Sequence, residues 1–158
     1  MMNRNKQKGK YLERKVVELF RLNNIPCHRA YTSGTGDREV GDIIFDNHDI
    51  IVECKNTKSF SIFMLFKNNK MIHDYLNQLE KEKHKYVSLY NRIPLSILAI
   101  NNYEKRSGVY TLVKKKDIQS YLDRIDTYLQ YNFDYILLRL EDLIQIIKED
   151  DRWLKKEN

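Results

Sequence analysis

Three side chains in one short stretch have the types and spacing to act together: Asp42, Glu53 and Lys55. They belong to Gly41-Asp42-Ile43-Ile44-Phe45-Asp46-Asn47-His48-Asp49-Ile50-Ile51-Val52-Glu53-Cys54-Lys55. Two short apolar runs joined by a polar turn have the pattern of a β-hairpin. With Asn47 and His48 as the loop, Asp46 faces Asp49, Ile44 faces Ile51 and Asp42 faces Glu53. Side chains alternate between faces along a strand, so Asp42 and Ile44 share a face, as do Ile51, Glu53 and Lys55. The two carboxylates then oppose each other with Cβ atoms roughly 5 Å apart. Like charges so placed destabilise a sheet, and a hard divalent cation held by oxygen ligands is the natural counter-charge. The other face (Ile43, Phe45, Ile50, Val52, Cys54) is apolar and predicts packing on a core. The alternative is a solvent-facing hairpin with a chance acidic pair. Ile44 and Ile51 on the charged face favour a cleft.

The elements that must hold this hairpin follow from periodicity. Residues 1–8 are a basic, mobile arm. Residues 9–24 are helical, with Leu12, Val16, Leu19 and Phe20 on one stripe. Glu13 falls in register with Val17 and Phe20, at the edge of that stripe, where burial is unfavourable unless the carboxylate is paired. On helix geometry alone it is a boundary glutamate paired with Arg14 or Lys10. Residues 26–31 suit a first strand, and Thr32 to Arg38 form a Gly-containing loop rich in polar donors.

After Lys55 an apolar burst, Phe60 to Phe66, begins as an edge strand. Residues 68–90 form a long amphipathic helix with Met71, Tyr75, Leu79 and Tyr86 among its apolar positions. Its Lys81, Lys83, His84 and Lys85 read as a solvated basic face. Residues 94–100 are a continuous apolar run, hence a buried central strand. Residues 109–113 are the next strand, and 117–122 a short helix capped by Asp117. A similar unit follows at 135–140 and 142–147, with Asp142 in the cap position; two copies do not make a repeat protein. The order predicts an α/β fold, a mixed central β-sheet flanked by helices. Residues 1–122 form its core, and 123–158 are a small C-terminal extension of the same domain that adds an edge strand and a helix.

The 158 residues fit one domain, and a net charge of +6 points toward polyanions. Charge alone is weak evidence, since many lysine-rich proteins bind no nucleic acid. Cys27 and Cys54 have no metal-site or disulfide spacing, which argues for a reducing compartment. His28, His48, His73 and His84 form no cluster, which argues against a histidine-based metal site. No apolar run approaches membrane length, so the expected location is cytoplasmic.

Gly41-Asp42 followed by Glu53-Cys54-Lys55 resembles the PD-(D/E)XK nuclease motif, with Gly41 where the motif has proline. Within that superfamily the chain is similar to archaeal-type and phage Holliday junction resolvases over residues 8–122. Lys8-Gly9-Lys10-Tyr11-Leu12-Glu13-Arg14 looks like the opening of their first helix. By that match Glu13 is a metal-site carboxylate and Arg14 a scissile-phosphate contact. The same resemblance makes Ser33 an assisting serine in a Ser-Gly loop, and Gln78 an auxiliary residue like the helix glutamine of several such families. It also implies a restriction-endonuclease-like fold and a homodimer; Phe60 to Phe66 is the candidate interface.

Phosphodiester hydrolysis needs an activated water, charge neutralisation at phosphorus and help for the leaving oxygen. Glu13, Asp42, Glu53 and the backbone carbonyl of Cys54 are the candidate ligands of Mg²⁺, with Mn²⁺ as a substitute. Lys55 is placed to orient the water or stabilise developing charge. Lys8, Lys10, Arg14, Arg29, Ser33 and Lys58 are candidate DNA contacts. The expected activity is resolution of four-way DNA junctions by paired symmetric nicks, with branch-migration or recombination proteins as further partners. Competing readings are another endonuclease of the superfamily (nicking, repair or restriction-type), a catalytically idle DNA-binding module, and a basic α/β protein with no DNA role.

Overall fold

The computed structural model describes residues 4–31, 39–58, 60–62, 70–101 and 108–156. Among the described residues seven strands form one sheet in the order β1-β2-β3-β4-β5-β7-β6. In chain order the elements are α1 (Arg4–Leu22), β1 (Cys27–Arg29), β2 (Ile43–Phe45), β3 (Ile50–Asn56), α2 (Lys70–Tyr90), β4 (Leu95–Asn101) and β5 (Tyr110–Lys114). They are followed by α3 (Lys115–Ile118), β6 (Leu129–Tyr131), β7 (Tyr135–Arg139) and α4 (Leu140–Glu149). Strands β3 and β4 run parallel, with α2 as their crossover, and all other neighbours are antiparallel. This is the mixed α/β architecture that the element order predicts. No helix among the described residues is long and apolar enough to cross a membrane.

Helices cover both faces, which is why β4 is buried at every position. On one face α1 and α4 bury Leu12, Val16, Phe20, Leu143 and Ile147 against Ile43, Val52, Ile97 and Ile136. On the other, α2 buries Ile72, Leu76 and Leu79 against Ile51, Leu98 and Leu112. Helix α1 starts at Arg4, earlier than the arm predicted for residues 1–8. Arg, Lys and Gln are good helix formers, and a Cβ at Gly9 would meet nothing within 4 Å. Asn24, with φ of 61°, ends the helix in the left-handed conformation.

Two expected caps are corrected. Strands β5 and β7 pass into α3 and α4 without an intervening turn. Extended Lys114 and Arg139 therefore take the N-cap positions, with no side-chain cap bond. Asp117 and Asp142 fall in the first helical turns, where their charge still opposes the helix dipole favourably. Phe60 is also corrected as an exposed interface residue: it is buried in the chain's own core. Residues 60–62 contain no strand, and 63–66 lie outside the described residues. Residues 123–158 supply β6 as the sheet edge, β7 as an inner strand and α4 as a core helix.

The hairpin has the register that its sequence predicts, Ile43 opposite Val52. Its turn is wider, because the C-terminal segment docks against it. Asp49 N–H donates to the Trp153 carbonyl at 2.7 Å, and Lys155 N–H donates to that of Asn47 at 2.9 Å. Lys155 Nζ donates to the Phe45 carbonyl at 2.8 Å. Asp49 itself is buried, accepting a short hydrogen bond from the Tyr86 hydroxyl and one from Arg92 Nε at 2.8 Å. Burial and the Asp49 charge both push the Tyr86 phenol up. Asp49→Ala leaves that hydroxyl buried without its acceptor. The expected loss is about 2 kcal/mol, a fall in Tm of roughly 4–8 °C. Thermal unfolding of Asp49→Ala beside Tyr86→Phe measures it, with the double variant losing less than the sum.

Candidate active site

The site grows from the point where β2 and β3 part. Gly41 precedes β2 with φ of +82°, and a Cβ there would lie 2.9 Å from both Ile51 Cγ2 and the Val52 carbonyl oxygen. Proline, locked near −65°, does not reach that conformation. The backbone thus explains why glycine stands where the motif has proline. Asp42 N–H donates to the Val52 carbonyl at 2.8 Å. Asp42 Oδ2 then accepts the Cys54 N–H at 2.7 Å, taking the role that a backbone carbonyl has in a continued ladder. The carboxylate is thereby fixed from below by the chain that carries Glu53.

Asp42 and Glu53 share a side-chain hydrogen bond, and Glu53 is only 5% exposed. Burial pushes the Glu53 carboxyl up to about 8 from its ordinary 4.5; the Asp42 charge adds to the rise and Lys55 opposes it. Asp42 is also raised, by burial first, against the Cys54 N–H bond and the Lys55 charge. The pair therefore holds a proton between its oxygens in a nearly dry place.

Helix α2 forms the wall beside β3. Tyr75 lies under Lys55, with Nζ 5.1 Å from the ring centroid. Gln78 Nε2 is 3.5 Å from Glu53 Oε2, a long hydrogen bond. Glu82 accepts the Gly41 N–H at 3.2 Å and raises both Asp42 and Glu53. Sequence reasoning missed Glu82, Tyr75 and Asp49. The signal for the first two was helical spacing: Tyr75, Gln78, Glu82 and Tyr86 lie on one stripe of α2.

Glu13 approaches from α1 on the other side. Arg29 Nε donates to Glu13 Oε2 at 2.8 Å, and the Lys10 charge also acts on this carboxylate. Burial raises the Glu13 carboxyl, the Arg29 hydrogen bond lowers it, and the Asp42 charge raises it again. Burial pushes the Cys54 thiol well up, and it feels all three carboxylates, Asp42, Glu13 and Glu53. The three acids are thus within electrostatic reach of Cys54. Among the described residues, however, no three His, Cys, Asp or Glu side chains are close enough together to hold a metal unaided. The tightest acidic unit is the pair Asp42–Glu53.

A groove of about 1240 Å³ opens from Glu13 and Asp42 along α1 and β1, and Lys10, Arg14 and Arg29 line it. Lys58 is exposed just beyond β3. Ser33 and the Lys8 side chain lie outside the described residues. The arrangement can bind a hard cation at its oxygens, with guanidinium groups placed for an anion in the adjoining groove.

A family model described as "Phage putative PDDEXK endonuclease" matches residues 4–153. The match therefore runs from α1 through α4. No curated protein matches the chain.

Two outcomes follow from this geometry. Between about pH 4.5 and 8 the folded protein keeps a proton on Glu53 that the unfolded chain has released, so stability falls as pH rises through that window. Glu53→Gln carries no ionisable group and escapes that loss. In the presence of a chelator its Tm exceeds wild type near pH 8, and the gap closes toward pH 5; a gap independent of pH contradicts the shared proton. Gly41→Ala forces both a strained φ and a clash with β3, and is expected to lose roughly 1–3 kcal/mol in thermal melts.

Proposed function

The chain belongs to the phage PDDEXK endonuclease family, and on that premise we propose that it is a metal-dependent endodeoxyribonuclease whose substrate is the four-way DNA junction. One observation carries the catalytic reading: the carboxylates of Asp42 and buried Glu53 come together at the parting of two strands, with Lys55 two residues further along β3. PD-(D/E)XK nucleases generally use divalent metals. An all-oxygen pair short of positive charge fits such an ion, and Asp42 and Glu53 would hold it. Mg²⁺ suits it best, since it is satisfied by one or two carboxylates and keeps several waters, with Mn²⁺ as the substitute. When bound, the cation supplies Lewis acidity and neutralises phosphate charge.

Asp42 and Glu53 are the proposed metal ligands, with the Cys54 carbonyl beside them and Glu13 held ready by Arg29. Lys55, resting over Tyr75, stabilises charge that develops on the phosphate oxygens. Gln78 orients Glu53. Arg14 is exposed beside Glu13 and contacts the scissile phosphate; Lys10, Arg29 and Lys58 hold the neighbouring backbone. Ser33 assists by analogy with the resolvases alone. Their first-helix opening, matched by Glu13-Arg14, supports the junction as substrate. Two like-polarity cuts then call for a two-fold dimer. The second reading is a related endonuclease acting on linear duplex, and the family description supports it equally well.

Cleavage of a labelled four-way junction beside matched linear duplex separates the two. With Mg²⁺ the wild type is expected to make paired symmetric nicks in the junction alone. EDTA abolishes them, and Asp42→Asn or Glu53→Gln reduces them on the order of 100-fold or more. Equal cutting of duplex keeps the nuclease and discards the junction. Tight DNA binding with no cutting in either metal discards catalysis.

A further inference from the structure

The groove beside Glu13 and Asp42 contains a feature that phosphate contacts leave unexplained. Tyr31 is 83% exposed at its rim, although it is among the largest apolar surfaces the chain could bury. Its ring lies against the His28 imidazole, with centroids 5.0 Å apart and planes tilted by 31°. One face of the tyrosine is therefore backed, and the outer ring remains open to the groove. His28 is itself anchored in β1, opposite Ile44 of β2, and lies 3.7 Å from Asp46.

Backbone bonding places Tyr31 close to Asp42 along the chain, and both residues line the same groove. Ala30 N–H donates to the Asp42 carbonyl at 2.9 Å, so Tyr31 is one residue beyond the strand position that faces Asp42. One strand spacing and one residue amount to roughly 6–9 Å. At about 3.4 Å per nucleotide along a strand, a base on Tyr31 is two or three nucleotides from a phosphate at Asp42. The groove between them is lined by Lys10, Arg14 and Arg29, offset by Glu13 and Glu18.

Cations tracking a backbone, with an exposed ring at the end of the track, form the usual arrangement for stacking an unpaired base. Inside an intact duplex both faces of every base are covered, and no face remains for a tyrosine. From this we infer that Tyr31, backed by His28, is a stacking platform for a nucleobase with a free face. The groove thus selects DNA that has a branch point or single-stranded segment within a few nucleotides of the cut. The inference rests on the endonuclease reading and narrows its substrate class.

The test uses the full chain with EDTA, so that binding is read without cleavage. Fluorescence anisotropy compares a duplex, a fork of the same sequence and a plain single strand, the fork and the strand carrying 2-aminopurine. Wild type is expected to bind the fork more tightly than the duplex and to quench the 2-aminopurine. Tyr31→Ala is expected to lose roughly tenfold on the fork, little on the duplex, and all of the quench. Tyr31→Phe retains all three properties, because the ring does the stacking. Tighter binding of the single strand than of the fork identifies a strand channel; the reverse identifies a branch-point reader. Equal fork and duplex affinities in wild type, or a fork preference that survives Tyr31→Ala, overturn the platform. Cleavage with Mg²⁺ distinguishes this failure from that of the parent reading. Wild type that cuts DNA without using Tyr31 remains an endonuclease, whereas wild type that neither binds nor cuts any substrate ends both.

Discussion

Two carboxylates pressed together with water largely excluded are the constraint on which the surrounding structure depends. Asp42 and Glu53 repel when both are ionised, and burial raises both carboxyls. Glu82 adds a third negative charge, and Lys55 is the cation that opposes it. A buried cluster with acids in excess must hold a proton or gain a positive ion. The fold accepts that strain because the backbone around it is over-determined. Gly41 supplies a conformation that only glycine adopts easily, and the Cys54 N–H and the Val52 carbonyl grip the aspartate from both ends.

Helix α2 binds β3 along its length, and the two periods match. Tyr75 meets Lys55, Gln78 meets Glu53 and Tyr86 meets Asp49. Each three- or four-residue step on the helix advances about 5–6 Å, close to the roughly 6.6 Å between same-face positions on a strand. One end of the contact holds the acidic site, and the other holds the hairpin turn. The C-terminal segment closes that turn from the opposite side through Trp153, Leu154 and Lys155. Residues 123–158 therefore support the hairpin and also supply an edge strand, an inner strand and a core helix.

Glu13 illustrates how far a local reading reaches. Helical spacing alone placed it at the border of the buried stripe, where it lies half-buried. Its partner Arg29 stands sixteen residues away on β1, beyond the range of any helix rule. The caps show the converse failure. Asp117 and Asp142 have the residue type that starts helices, yet strands β5 and β7 run straight into α3 and α4 and leave no turn for a cap. Tertiary pairing of the strands overrode the local preference. Asp49 likewise looks like a turn residue, and only the arrival of Tyr86 and Arg92 makes it a buried anchor.

The amino-acid sequence by itself determined the register of the hairpin at Ile43 and Val52, which brings Asp42 and Glu53 to the same end of it. Strand alternation is local, and a one-residue slip would turn the apolar set Ile43, Phe45, Ile50 and Val52 out of the core. It likewise determined the central place of β4, whose unbroken apolar run is satisfied only between two covered faces. The tertiary structure alone decided how much water reaches the carboxylates, because α2, distant in sequence, forms the wall over Glu53. It alone decided the groove beside Glu13, which exists only once α1 is laid along β1. The proton affinity of an acid follows from desolvation and neighbouring charge, and both are properties of packed elements rather than of residue order.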